Sequence, residues 1–79
     1  MIYILEYGSH NNEFIMEMEK VQAVDKKYHG FDKNCPYDLT IIYGNDNASF
    51  DKYEFTCSET QISNFISEYL KFKGYLKQK

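Results

Sequence analysis

A chain of 79 residues has room for a single domain spanning 1–79 and one thin core, because a protein of this size buries only about 60–65% of the surface its unfolded form exposes. With 43% hydrophobic and 18% aromatic residues it is too apolar to stay disordered, and an enclosed substrate pocket would compete with the core for the same side chains. A net charge of −3, with nine lysines and no arginine, argues against ordinary nucleic-acid binding, since arginine supplies the planar fork that grips phosphates and guanine edges.

Residues 2–7 (Ile-Tyr-Ile-Leu-Glu-Tyr) are rich in β-formers and end at Gly8-Ser9-His10-Asn11-Asn12, a run of turn formers, which predicts a strand and a loop. From Glu13 to Gly30 two periods compete. As a strand, Phe14, Met16 and Met18 alternate with Ile15, Glu17 and Glu19; as a helix, Phe14, Met18, Val21 and Val24 form a stripe, with lysines before Gly30. A short internal repeat favours the strand: Tyr7-Gly8 precedes Phe14 at the spacing at which Tyr43-Gly44 precedes Phe50. Asp25 to Tyr37, with the only proline, Pro36, reads as a polar connector. Residues 38–43 and 49–57 alternate around Gly44-Asn45-Asp46-Asn47-Ala48 and predict a second hairpin.

The last element is a helix over residues 59–73. Ser58 stands as its N-cap with Gln61 three residues on, a capping-box pattern, and Cys57 and Ile62 are spaced as a hydrophobic staple. Ile62, Phe65, Ile66, Tyr69 and Leu70 form one apolar stripe, Gly74 suits the position after the C-cap, and Tyr75 is placed to meet Leu70. The expected fold is therefore α+β, a four-stranded antiparallel sheet of two hairpins with one helix on one face; β-α-β-β-α is the alternative.

In that sheet, Tyr3, Leu5, Tyr7, Phe14, Met16, Met18, Leu39, Ile41, Tyr43, Tyr53, Phe55 and Cys57 share the face the helix covers. The opposite face has no second helix to shield it. It carries isoleucines, among them Ile2, Ile4, Ile15 and Ile42, inside a rim of Glu6, Glu17, Glu19 and Glu54, a composition closer to an interface than to bare surface. Charge is segregated along the chain: residues 1–19 sum to −4, 20–37 to +2, 38–59 to −4 and 60–79 to +3. The expected partner-binding set is Glu6, Ile15, Glu17, Glu19, Ile42, Asp46 and Glu54.

Motifs for chemistry are sparse. His10, His29, Cys35 and Cys57 show no metal-ligand spacing, the four glycines build no phosphate loop, and a Cys35–His29 nucleophile pair has no orienting motif beside it. Glu17 and Glu19 on an open sheet face would be solvated carboxylates. No catalytic residue, metal or cofactor is expected. The beginning of the chain lacks a basic signal-peptide region and no apolar run approaches the ~18–20 residues of a membrane span, so a cytoplasmic protein with reduced thiols is expected.

The expected function is a non-enzymatic protein-binding module. Small size, acidic hairpins and biased composition resemble inhibitors that phages and mobile elements direct at host nucleic-acid enzymes, such as anti-restriction and anti-CRISPR proteins; the resemblance implies a basic groove on such an enzyme as the partner. The alternatives are a single-stranded nucleic-acid-binding domain, with bases stacked on sheet aromatics, and a structural homodimer.

Overall fold

The computed structural model describes residues 1–44 and 49–75, and their order of elements follows from where the polar and apolar alternation breaks. β1 (Ile2–Tyr7) and β2 (Asn12–Glu17) form an antiparallel hairpin in which Leu5 lies opposite Phe14, Tyr3 opposite Met16 and Ile4 opposite Ile15. Its turn is closed by Gly8 and Asn11, both with left-handed backbone (φ +78° and +52°), a conformation that glycine adopts freely and asparagine tolerates. After β2 a single 3₁₀ turn, Met18–Lys20, redirects the chain into β3 (Val21–Tyr28). β3, β4 (Tyr37–Gly44) and β5 (Phe50–Cys57) make a second antiparallel sheet with β4 in the centre.

This corrects the expectation of one four-stranded sheet. The strands divide into a two-stranded and a three-stranded sheet, and the extra strand, β3, runs through the end of the segment where strand and helix competed and the start of the expected connector. The helical alternative for 13–30, and with it β-α-β-β-α, is likewise overturned. Two local features hid the strand. The 3₁₀ turn separates Met18 from β2, and a bulge between Val21 and Ala23 puts Val21 and Val24 inward at a spacing of three, which imitates a helical stripe. β3 is also an edge strand, so Gln22, Asp25, Lys26 and Lys27 face water, and the strand lacks the apolar content of a central one.

The helix, α1 (Glu59–Phe72), begins where the sequence places it. The Gln61 N–H donates to Ser58 Oγ at 3.1 Å and the Ser58 N–H donates to Gln61 Oε1 at 2.9 Å, completing the capping box. At the other end Gly74 adopts φ +82°. Its N–H donates to the Lys71 carbonyl and that of Tyr75 donates to the Leu70 carbonyl, a Schellman termination in which the Tyr75 side chain stays exposed.

The hairpin and the helix cover the same face of the three-stranded sheet and enclose one core. Leu5, Met16, Met18, Val21, Leu39, Ile41, Phe55, Cys57, Ile62 and Phe65 are buried in it, drawn from every element. Rings bind the parts together: Tyr3 meets Phe65 edge-on at 5.6 Å, and Tyr7 and Phe14 lie 4.8 and 5.2 Å from Phe55. The Gly8 N–H donates to the Thr56 carbonyl and the Glu17 N–H to Tyr43 Oη, fixing both ends of the hairpin on the larger sheet. All twelve residues expected on the covered face are in this core or packed against it.

Candidate interaction surface

Because the inner faces of the hairpin and the three-stranded sheet share one core, their outer faces point away from each other. On the hairpin's outer face, register stacks three cross-strand rows: Ile2 opposite Glu17, Ile4 opposite Ile15, and Glu6 opposite Glu13. Ile2, Ile4 and Ile15 are 61%, 48% and 65% exposed. Four-carbon β-branched side chains suit a strand, but at this exposure they gain little from burial within the molecule.

The carboxylates around them are poorly compensated. Glu17 has Lys20 at 3.3 Å, whereas among the described residues Glu6 and Glu13 have no ion-pair partner and lie directly across from each other. Like charges at opposed positions of an antiparallel pair are unfavourable. The same two glutamates, with Tyr3, Ile4, Gln61 and Asn64, line a cleft of about 210 Å³ between hairpin and helix. An apolar centre with an acidic margin therefore exists on this face as a continuous surface.

The expected binding set is divided by the two-sheet fold. Glu6, Ile15 and Glu17 lie together on the hairpin. Glu19 sits on the 3₁₀ turn, where the amino group of Met1 lies against its carboxylate and holds its pKa below the usual range. Ile42 and Glu54 lie on the outer face of the three-stranded sheet, where Ile42 is opposite Lys52 and only half-buried, and Glu54 joins Asp25, Lys27, Asp38, Thr40 and Thr56 in lining a depression of about 460 Å³. Asp46 lies outside the described residues. Ile2 and Ile4 complete the hairpin surface together with Glu13. Glu13 opens the segment in which strand and helix periods compete, but its face depended on the register of the turn.

Cys35 and Cys57 are free and buried. Burial pushes the Cys57 thiol up to about 12, and burial with the nearby Asp32 raises that of Cys35, so both stay protonated near neutrality. His29 Nδ1 accepts the Phe31 N–H at 2.9 Å while Nε2 lies 3.4 Å from Asp38 Oδ1, leaving neither nitrogen directed at Cys35. Among the described residues no three His, Cys, Asp or Glu side chains converge on a point suited to a metal ion, and no helix is long and apolar enough to cross a membrane.

One exposed aromatic was not anticipated. Phe31, in the β3–β4 connection, is 92% exposed, and Tyr28 beside it is 65% exposed. Its place in a polar stretch gave no periodic pattern by which to assign it to core or surface. Fold and surface together define a small α+β domain with an open, acidic-margined hairpin face. Comparison with protein-family models, with curated proteins and with solved structures finds no match.

Proposed function

We propose that this chain is a non-enzymatic protein-binding module that docks its partner on the outer face of the β1–β2 hairpin. The observation that carries this reading is the row pairing of Ile4 with Ile15, both about half or more exposed, next to Ile2 and above the unpaired Glu6–Glu13 row. A partner with an apolar centre and a lysine- or arginine-rich margin would cover the isoleucines and relieve the repulsion between the two glutamates. The basic groove of a nucleic-acid enzyme is a surface of that chemistry, in keeping with the inhibitor-like composition of the chain. Direct nucleic-acid binding at the same face is disfavoured by its carboxylates.

Affinity capture from the native host, with wild type and surface variants in parallel, tests the reading. Ile15→Lys and Ile4→Lys should each remove a discrete captured protein, with circular dichroism and melting unchanged, while Glu54→Lys on the opposite outer face should leave it bound. Capture that survives both isoleucine substitutions, or is lost with Glu54→Lys alone, would sink the assignment to the hairpin.

A further inference from the structure

The backbone groups of β1 divide between two edges, and hydrogen bonds show which residues serve which. The Met18 N–H donates to the Met1 carbonyl at 2.8 Å, in line with the register that pairs Ile2 with Glu17, so the groups of Tyr3, Leu5 and Tyr7 face β2 and those of Ile2, Ile4 and Glu6 face away from it. Gly8 agrees with this alternation: its N–H reaches the Thr56 carbonyl of β5 and its carbonyl accepts the Gln61 amide. The hairpin has only two strands, and among the described residues nothing bonds to the outward groups of Ile4 and Glu6.

The other free edges are defended. That of β3 carries the bulge with Asp25, Lys26 and Lys27, that of β2 gives its Glu17 N–H to Tyr43 Oη, and that of β5 is met by Gly8 at Thr56 and carries the Lys52–Glu54 pair, features that keep a strand from adding. β1 reads Ile-Tyr-Ile-Leu-Glu-Tyr over residues 2–7, with no lysine, proline or bulge. Its outward groups open on the cleft whose far wall is α1, at Gln61 and Asn64; Glu6 and Glu13 line that cleft and no lysine does. The field there is negative: burial first, then the charges of Glu68 and Glu6, raises the pKa of the Tyr3 phenol.

We infer that the cleft between β1 and α1 takes an extended segment of a partner protein, bearing a lysine or arginine, which adds to the hairpin as a third strand. A row of unpaired N–H and C=O groups at strand spacing is matched by the backbone of another strand, whose alternate side chains would lie beside Ile4 and Glu6 on the outer face. This rests on the reading of the hairpin as the docking surface and names the form in which the partner meets it. The far wall decides against a second copy: the β1 edge of that copy has its own α1 alongside, so two edges brought together would set helix against helix and one glutamate margin against another. A lone segment has no such flank, and a basic residue on it across from Glu6 would relieve the repulsion between Glu6 and Glu13.

Panning a ribosome-displayed library of random short peptides against the immobilised full chain tests this. Recovered peptides should alternate β-branched with other residues around a lysine or arginine, and should shift the amide resonances of Ile4, Glu6 and Asn64 in the labelled chain. Methylating the backbone nitrogens of a recovered peptide at every other residue should weaken binding about tenfold or more in one phase and little in the other, because only one set of its N–H groups faces β1. Glu13→Lys removes the like-charge row and should melt no lower than wild type, yet weaken binding by a similar factor. Ile4→Pro removes one outward N–H, leaves the β1–β2 ladder intact, and should weaken binding as well. Equal effects of the two methylation phases, binding indifferent to Glu13→Lys, or recovery of no peptide overturns strand addition. A dimer of the chain alone in sedimentation, with the Ile4 amide protected from exchange, places a second copy in the cleft and overturns it too. If strand addition fails while Ile15→Lys still removes the captured protein, the hairpin face stands as a docking surface; if Ile15→Lys has no effect either, both readings fall.

Discussion

Gln61 shows how much one side chain can do in a domain this small. Its Oε1 accepts the Ser58 N–H, as the capping-box pattern requires, while its Nε2 donates to the Gly8 carbonyl at 2.9 Å and to Asn11 Oδ1 at 2.8 Å, tying the helix start to the hairpin turn 50 residues away in sequence. Its first role is legible from spacing; its second exists only because the fold brings the turn to the helix. Cys57 makes a related case, since its place before the N-cap is plain in sequence but its burial depends on the packed core. Its thiol rises from its ordinary value of 9.0 to about 12, so the unfolded chain loses that proton at a lower pH than the native one. The stability tied to the neutral thiol is complete below about pH 9 and is lost as pH climbs toward 12. Urea melts from pH 8 to 11 should therefore show wild type losing stability more steeply than Cys57→Ala, and native Cys57 should resist iodoacetamide at pH 8 until the chain is unfolded.

Among the elements, the helix was the most legible because its signals are local. Cap, staple, stripe and terminating glycine all lie within 19 residues, 57–75, so each can be read from spacing along the chain, and the cap and the glycine act through hydrogen bonds local to the helix ends. Ser58→Ala should cost about 1 kcal/mol through loss of the N-cap. Gln61→Ala should cost more than Ser58→Ala, since it removes the cap partner and also leaves the Gly8 carbonyl without its side-chain donor; denaturant titration of the two variants orders them, and an equal or smaller loss for Gln61→Ala would show the tether to be idle. β3 was the least legible. Its only inward apolar residues are Val21 and Val24, the bulge gives them a helix-like spacing, and its remaining residues are polar because an edge strand on one side of a sheet meets water. What makes it a strand is the free edge of β4, a partner no window of sequence around β3 contains.

Across the whole molecule, the helix meets the hairpin at Phe65, which is fully buried against Tyr3 of β1 and stacked near Tyr69 of its own helix. Phe65→Ala should cost about 3–5 kcal/mol, and a domain of this size holds only about 3–5 kcal/mol in total. The variant is expected to be largely unfolded at 25 °C, with far-ultraviolet circular dichroism and exchange-protected amides both lost together. The same arithmetic explains why Ile15 can be changed freely: with 65% of its surface already in water, Ile15→Lys removes little that holds the fold, and its consequences belong to binding.

Local pattern alone determined that two hairpins and a C-terminal helix form, which side chains turn inward, and that isoleucines and glutamates share an uncovered face. Those properties follow from the period of two along a strand and from capping chemistry over a few residues. Only the tertiary structure decided that the hairpins belong to different sheets, because strand pairing depends on which edge is free in space. That decision placed Ile15 and Ile42 on opposite sides and separated Glu6 and Glu17 from Glu54.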